Sequence, residues 1–253
     1  MITTQLFHAI TPFASGGQPW QIYKLKKHGI SLSKGTNIVI EDFIGYQTAL
    51  ILFGALAVLS NHILHIIPSD DKLALLVTLG FLMNSAVIIA LFALSFSRKD
   101  SKIIINSIIN FLGKIKIIKD TNASKEKSNK FLKDFHQSAE KLFSKKNILV
   151  KIVLLNFLAL GFQYAIPFVL LLGLNIYLNP LYAIITSAYV MLIDSIIPTP
   201  GSTGGLEYGF MSFFKNFVKG SKLSITMILW RFVTYYFGII IGLIFLKEDP
   251  KWE

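Results

Sequence analysis

The sequence predicts an all-α polytopic membrane protein with about five transmembrane helices. Apolar residues make up 53% of the 253 residues, charged residues only 15%, and the mean hydropathy is +0.58. A soluble domain carries roughly 25% charged residues. Several apolar stretches are long enough to cross a hydrocarbon core, which takes about 20 helical residues. These stretches lack the alternating pattern of barrel strands, so they are expected to be helices.

Five stretches reach this length, and together they divide the chain. They cover residues 43–67, 73–96, 152–174, 177–197 and 223–246. The predicted organisation is a segment 1–42, two spans within 43–96, a loop 97–147, and three spans within 148–253.

The net charge of +11 is distributed unevenly between the connections. The N-terminal segment contains four lysines, and the loop 97–147 carries 13 Lys or Arg against 5 Asp or Glu. The turn 68–72 and the turn near Asn175 have no basic excess, whereas residues 198–222 carry three lysines against Glu207 and the tail 247–253 has two cations against three acids. By the positive-inside rule, the N-terminus and the loop 97–147 face the cytoplasm, and five crossings leave the C-terminus outside. The basic charge therefore indicates attraction to anionic lipid rather than direct nucleic-acid binding.

The loop 97–147 has its own helical pattern. Residues 102–118 are rich in isoleucine with lysines between them, and Phe131, Phe135, Ala139 and Leu142 recur at helical spacing. This pattern predicts amphipathic helices at the cytoplasmic interface of the membrane. Helices packed against the protein's own underside would show the same pattern.

One motif occurs twice, as TPFASGG at residues 11–17 and as TPGSTGG at residues 199–205. Proline and glycine break helices, and a broken backbone at membrane depth is tolerated only inside protein or beside a wet cavity. Broken segments in both halves of a membrane protein point to a substrate site between inverted repeats. We therefore predict two re-entrant elements; the alternative is two ordinary interfacial loops.

The two elements also carry groups suited to an anion. Backbone N–H groups are freed by each break, and they are accompanied by small hydroxyls. These hydroxyls belong to Thr11, Ser15, Thr199, Ser202 and Thr203. In the second half of the chain two spans, 152–174 and 177–197, precede the broken element, but only ten residues precede the element of the first half. The repeat therefore predicts further spans before Met1 or two unequal halves.

Three ionisable residues lie within or beside apolar stretches, namely Asp194, Glu207 and Arg231. A charge facing lipid is costly, so each is expected to face the protein interior. In one interpretation Arg231 holds a lipid phosphate and a carboxylate meets a cationic group. In the other, Arg231 and a carboxylate form a structural pair that fixes helix packing.

Other chemistries have weaker signals. Cysteine is absent. His62 and His65 have a spacing that allows two metal ligands, but no nearby carboxylate clearly completes a site, and interfacial polar residues are favoured. No catalytic set, metal site or cofactor motif is predicted.

Three segments in the right order resemble the signatures of one family. They are ITPFASGGQP at 10–19 followed by YKLKKHG at 23–29, IPTPGSTGGLE at 197–207, and WRFVTYY at 230–236. They are similar to the flippase-like membrane domain of lysylphosphatidylglycerol synthases, over nearly the whole chain.

The resemblance implies that the two re-entrant elements face one another and carry an aminoacylated or related anionic phospholipid between leaflets. Some family members have a basic residue where Gln21 stands, which bears on headgroup preference. Combined with the motif analysis, the candidate lipid-binding set is Thr11, Pro12, Ser15, Gly16, Gly17, Pro19, Asp194, Pro198, Thr199, Pro200, Gly201, Gly204, Gly205, Glu207 and Arg231.

The resemblance also implies an enzymatic alternative. Full-length synthases use a cytosolic domain to transfer lysine from lysyl-tRNA to phosphatidylglycerol. Only seven residues follow the last apolar stretch, so we do not expect this chain to carry out lysyl transfer alone, and a separate or fused synthase is an expected partner. A non-transporting scaffold that recruits an enzyme through 97–147 is a further alternative.

Overall fold

The computed structural model describes residues 2–68, 70–114 and 120–247, and this part of the chain contains twelve α-helices and no strand. The predicted all-α class is confirmed. In chain order the helices are α1 Ile2–Ile10, α2 Gly17–Lys27, α3 Leu32–Leu64, α4 Asp71–Phe96, α5 Arg98–Lys114, α6 Thr121–Phe143, α7 Lys146–Tyr164, α8 Ile166–Gly173, α9 Pro180–Leu192, α10 Gly205–Phe214, α11 Ser221–Arg231 and α12 Phe237–Lys247.

Within the described residues, four helical segments have the length and composition to cross a membrane. They are Leu32–Leu64, Asp71–Ala90, Lys146–Gly173 and Ser221–Leu246. In the most apolar 18-residue stretch of each segment, only 17% to 39% is buried inside the protein. Because the rest of that apolar surface needs a non-aqueous cover, the protein is a multi-pass membrane protein.

The predicted fourth span, 177–197, has a different structure from the other four. It contains α9, whose 13 residues extend about 20 Å, against a hydrocarbon core of about 30 Å. A short 3₁₀ turn, Asp194–Ile196, follows α9. This stretch is therefore too short to cross as one continuous helix.

Helix α9 forms the first arm of a hairpin with α10. A Cβ added to Gly205, at the start of α10, would lie 2.1 Å from the Ile197 side chain. Further along both arms, the Tyr189 and Phe213 rings meet edge to face with centroids 5.7 Å apart. Helix α10 therefore runs back along α9, as a re-entrant element requires.

Helices α1 and α2 form a second hairpin of the same kind. The Trp20 ring stacks on Phe7 with centroids 4.1 Å apart, and its Nε1 donates to Thr3 Oγ1 at 2.9 Å. At the tip, Gly17 lies against the His8 ring, so close that a Cβ there would be 2.1 Å from Nε2.

The first helix of each hairpin packs against a helix from the other half of the chain. Helix α1 packs on α12, α9 packs on α3, and the breaks Pro12–Ala14 and Pro200–Ser202 contact one another. Each helix that precedes a break thus packs against a long helix that follows the other break. This reciprocal arrangement supports the predicted inverted repeat.

The segment between the halves contains the two predicted amphipathic helices. Helix α6 packs against α3, α4 and α7, and α5 packs against α4 and α6. Packing on the protein's own underside therefore accounts for α6. Residues 115–118 of the predicted first helix, and the side chains of Phe135 and Leu142, lie outside the described part of the structure.

The core is centred on the second hairpin. Phe210, Phe213 and Phe214 of α10 are each at most 1% exposed, and Leu192 of α9 is 2% exposed. Helix α4 approaches this hairpin so closely that a Cβ on Gly80 would lie 1.9 Å from the Leu192 carbonyl oxygen. Only glycine fits at this contact, because the opposing atom is backbone.

We expect Gly80→Ala to lower the free energy of unfolding by about 1–3 kcal/mol, the usual cost of overpacking a core. The variant's thermal midpoint in detergent measures this. Gly173→Ala is the matched control, because a Cβ there meets no atom within 4 Å. Equal midpoints for the two variants would contradict the proposed helix contact.

Candidate functional site

The two breaks have the same unusual backbone. Phe13 and Ala14 adopt φ values of 53° and 51°, and the equivalent residues Gly201 and Ser202 adopt 58° and 50°. Three of these four are not glycine, and the left-handed region costs such residues of order 1–3 kcal/mol. A conformation that is costly and yet occurs twice indicates that the repeat is structural and not a chance similarity of short sequences.

The hydrogen bonds within the breaks are repeated as well. The amide of Ser15 donates to the Pro12 carbonyl at 3.2 Å, and the amide of Thr203 donates to the Pro200 carbonyl at 3.3 Å. The hydroxyls of Ser15 and Thr203 donate to the same two carbonyls, at 2.9 Å in both cases. The predicted hydroxyls at these positions therefore support the turns.

Arg231, at the end of α11, lies beside the second break and is only 5% exposed. Its Nε donates to Glu207 Oε1 at 2.5 Å. Its Nη2 donates to the Gly201 carbonyl at 2.8 Å and is 3.4 Å from Thr203 Oγ1. A single side chain thus binds both the irregular backbone and a carboxylate. We refer to Arg231 and Glu207 as the clamp.

Glu207 also caps α10. Its second oxygen, Oε2, accepts from the Gly204 amide at 2.6 Å. A carboxylate in the first turn is favourable because it faces the positive end of the helix dipole. Of the two interpretations of Arg231, the geometry shows the carboxylate pair; phosphate binding stays a prediction. In the first hairpin Pro19 occupies the position equivalent to Glu207, so the clamp belongs to one half only.

Tyr235 connects the clamp to the first hairpin. Its ring centroid lies 4.7 Å from the Arg231 guanidinium, and a Cβ on Gly201 would lie 2.1 Å from its ring. Its hydroxyl donates to the Ala9 carbonyl at the end of α1, at 3.1 Å. Tyr235 is not in the sequence-predicted set, although it stands four residues after Arg231 in the third signature.

A π-helical turn, Phe232–Tyr236, lies between α11 and α12 and carries this tyrosine. Such turns are rare in proteins, but those that occur are often located at functional sites. The turn places Tyr235 between Arg231, the second break and α1.

A buried polar network anchors the entry to the second break. Asn84 Nδ2 donates to Ser195 Oγ at 3.0 Å, and Gln47 Nε2 donates to Asn84 Oδ1 at 3.3 Å. The carbonyl of the neighbouring Asp194 accepts from Ser202 Oγ at 3.3 Å. Gln47 and Asn84 are not in the sequence-predicted set either, and their only signal is a polar amide within an apolar stretch.

The predicted residues are distributed unevenly around this site. Gly201, Gly204, Glu207 and Arg231 are brought together by the hydrogen bonds of the clamp. Several others are exposed at the breaks, and these are Pro12, Ser15, Pro198, Thr199 and Pro200. Pro19 is exposed in α2.

The remaining predicted residues have local roles. Thr11 Oγ1 donates to the Phe7 carbonyl and accepts from the Gly16 amide, and Thr199 Oγ1 donates to the Thr203 carbonyl at 2.8 Å. Gly17 and Gly205 allow close approach at the two hairpin tips. His62 and His65 lie away from the clamp with ring centroids 6.5 Å apart, and no cluster of three metal-ligating side chains occurs in the described part of the chain.

We expect Arg231→Gln and Glu207→Gln each to destabilise the fold, because each leaves a largely buried charge without its partner. The double variant should lose less than the sum of the two, with a coupling of about 1–3 kcal/mol. Thermal midpoints of the four proteins measure this coupling.

The pair Arg98–Glu140 is the matched control, because its side chains are 65% and 59% exposed. The same cycle there should give at most about 1 kcal/mol. Additive losses at Arg231 and Glu207 would contradict a coupled clamp.

The chain is 27% identical over 246 residues to a UPF0104 membrane protein of Archaeoglobus fulgidus, an alignment that covers 93% of this chain and 70% of that protein. No solved structure matches the chain. Residues 1–242 match the family described as the lysylphosphatidylglycerol synthase TM region. The chain therefore belongs to the lysylphosphatidylglycerol synthase transmembrane-region family.

Proposed function

We propose that the chain is a flippase-like module of a bacterial cell membrane that binds an anionic or aminoacylated phospholipid and moves it between leaflets. The observation that carries this proposal is the contact between two identically broken hairpins, each of which packs its first helix against the other half of the chain. Irregular backbone at membrane depth is characteristic of transporter sites between repeats.

The chemistry of the hairpin tips supports an anionic headgroup. Gly205 and Leu206 open α10, and first-turn amides have no partner within their own helix. The positive end of a helix favours an anion, and the Arg231 guanidinium lies beside the second break. Since Nε and Nη2 of Arg231 already bind Glu207 and Gly201, the headgroup would meet Nη1 or displace the carboxylate.

The exposed surfaces of the two breaks support access from the bilayer. Phe13 is 55% exposed, and Thr199 and Thr203 are exposed on the other break. Alternating access would open the site first to one leaflet and then to the other. The half made of α1, α2 and α3 would move against the half made of α9, α10, α11 and α12.

Vesicles that contain the protein and a fluorescent phosphatidylglycerol test the proposal. Addition of a membrane-impermeant quencher should abolish more fluorescence than the outer leaflet contributes, because transfer brings inner-leaflet lipid to the outer leaflet. Gly201→Ala should slow transfer by about tenfold, equivalent to about 1.4 kcal/mol, because Gly201 has φ +58° and lies against Tyr235. Gly173→Ala is the control. Transfer no faster than in protein-free vesicles, for every anionic lipid tried, would refute the proposal.

A reversible disulfide tests the motion. The chain contains no cysteine, and a Cβ on Gly238 of α12 would lie 4.0 Å from Gln5 Cβ of α1, within disulfide range. We expect oxidised Gln5→Cys/Gly238→Cys protein to stop transfer and reductant to restore it, because the bond joins elements of opposite halves.

The control disulfide joins α2 to α3 within one half. A Cβ on Gly35 would lie 3.5 Å from Leu25 Cβ. Oxidised Leu25→Cys/Gly35→Cys protein should transfer lipid at the unmodified rate. Undiminished transfer by a fully oxidised α1–α12 disulfide would rule out motion at this contact.

The hairpins also bear on topology. The predicted outside C-terminus counted residues 177–197 as a full crossing. Because α10 returns along α9, we propose four crossings, with both termini and α5–α6 in the cytoplasm. A C-terminal green fluorescent protein fusion should then fluoresce, and Lys219→Cys should react with impermeant maleimide from outside while Lys127→Cys does not. The reverse labelling pattern would contradict this topology.

A further inference from the structure

A cavity of about 950 Å³ lies between α3 and α4, with α9 and α10 on one side. This volume is at the upper end of the range for small-ligand sites, roughly 300–1,000 Å³. The cavity shares no lining residue with the breaks or the clamp.

The body of the cavity is apolar. Its walls include Val58 and Leu59 of α3, Leu73 and Val77 of α4, and Phe213 of α10. The lining of α3 spans residues 55–65, which corresponds to about 15 Å of helix. A space of this shape fits a hydrocarbon chain that lies along the α3–α4 pair.

One end of the cavity is polar. His62 and His65 lie at the C-terminal end of α3, beside Asn61, and Asp70 precedes α4. The Tyr189 ring contributes from α9. Asn61 Oδ1 already accepts from the Ile67 amide at 2.7 Å. The imidazoles of His62 and His65 can both donate and accept hydrogen bonds, so this end is suited to a hydroxyl-bearing headgroup.

The charges at this end favour an uncharged ligand. No lysine or arginine is among the lining residues, so a phosphate would find no cation in the lining. The carboxylate of Asp70 accepts from the Lys72 and Leu73 amides at 3.0 and 3.2 Å. It already caps α4 and faces the positive helix end, which reduces its attraction for an amine.

We propose that this cavity binds an uncharged single-chain amphiphile with a hydroxylated head, such as a monoacylglycerol or a long-chain isoprenoid alcohol. The chain occupies the apolar body, and the head forms hydrogen bonds with the two histidines. This ligand class differs from the anionic headgroup proposed for the broken hairpins, and the site stands whether or not translocation is demonstrated.

The test is photolabelling of the full chain in nanodiscs at pH 8. Three probes carry the same diazirine-bearing chain and end in a glycerol, a phosphate or an amine. We expect the glycerol probe to label peptides from 55–65 and 73–81 most strongly. Equal or stronger labelling of these peptides by the phosphate or amine probe, or labelling spread over all lipid-facing helices, would overturn the proposal.

Variants locate the site. Ala55 is exposed and lines the cavity, so Ala55→Trp should fill it and abolish specific labelling. Ala90→Trp is the matched control, because Ala90 is exposed on α4 outside the cavity. Labelling of Ala55→Trp at the unmodified level would overturn the proposal.

His62→Phe provides a second measurement that does not depend on filling the cavity. It retains an aromatic ring but removes a hydrogen-bonding group. The glycerol probe should therefore compete for the cavity with roughly two- to tenfold lower affinity, the usual effect of losing one hydrogen bond. Competition by a probe with a plain hydrocarbon end should not change. An equal loss for both probes would indicate a packing defect and would contradict the assigned head contact.

Discussion

The hydrogen-bonding requirement of a broken helical backbone in a membrane protein governs this structure. Without water, each unpaired carbonyl or amide is costly, so non-helical segments persist only where protein groups bind them. Arg231 and Glu207 do this for the second break, because the arginine binds the Gly201 carbonyl and the glutamate binds the Gly204 amide. The ion pair between them keeps both charged side chains neutralised within the protein.

The same requirement explains how the halves are connected. Tyr235 contacts Arg231, packs against Gly201 and donates to the Ala9 carbonyl, so the end of α1 and the second break share one side chain. The π-helical turn that carries Tyr235 continues into α12, against which α1 packs. A displacement of either hairpin would therefore change the packing of the other, through this tyrosine and the α1–α12 contact.

The repeat is close in backbone but unequal in chemistry. Both breaks use left-handed residues and the same hydroxyl-to-carbonyl bond, yet Pro19 stands where the second hairpin has Glu207. The first hairpin is instead held by Trp20, which stacks on Phe7 and donates to Thr3. An anion between the tips would therefore meet an ion pair on one side and an uncharged turn on the other.

The amino-acid sequence by itself determined the all-α membrane class, four of the long helices and the two breaks, because hydropathy and Pro/Gly punctuation are local properties. It also identified Glu207 and Arg231, since charges in apolar stretches must face protein. Only the tertiary structure decided that 177–197 is one arm of a hairpin, because length alone does not show that α10 returns along α9. Tyr235, Gln47 and Asn84 likewise required the structure, since their partners lie 37 to 226 residues away along the chain.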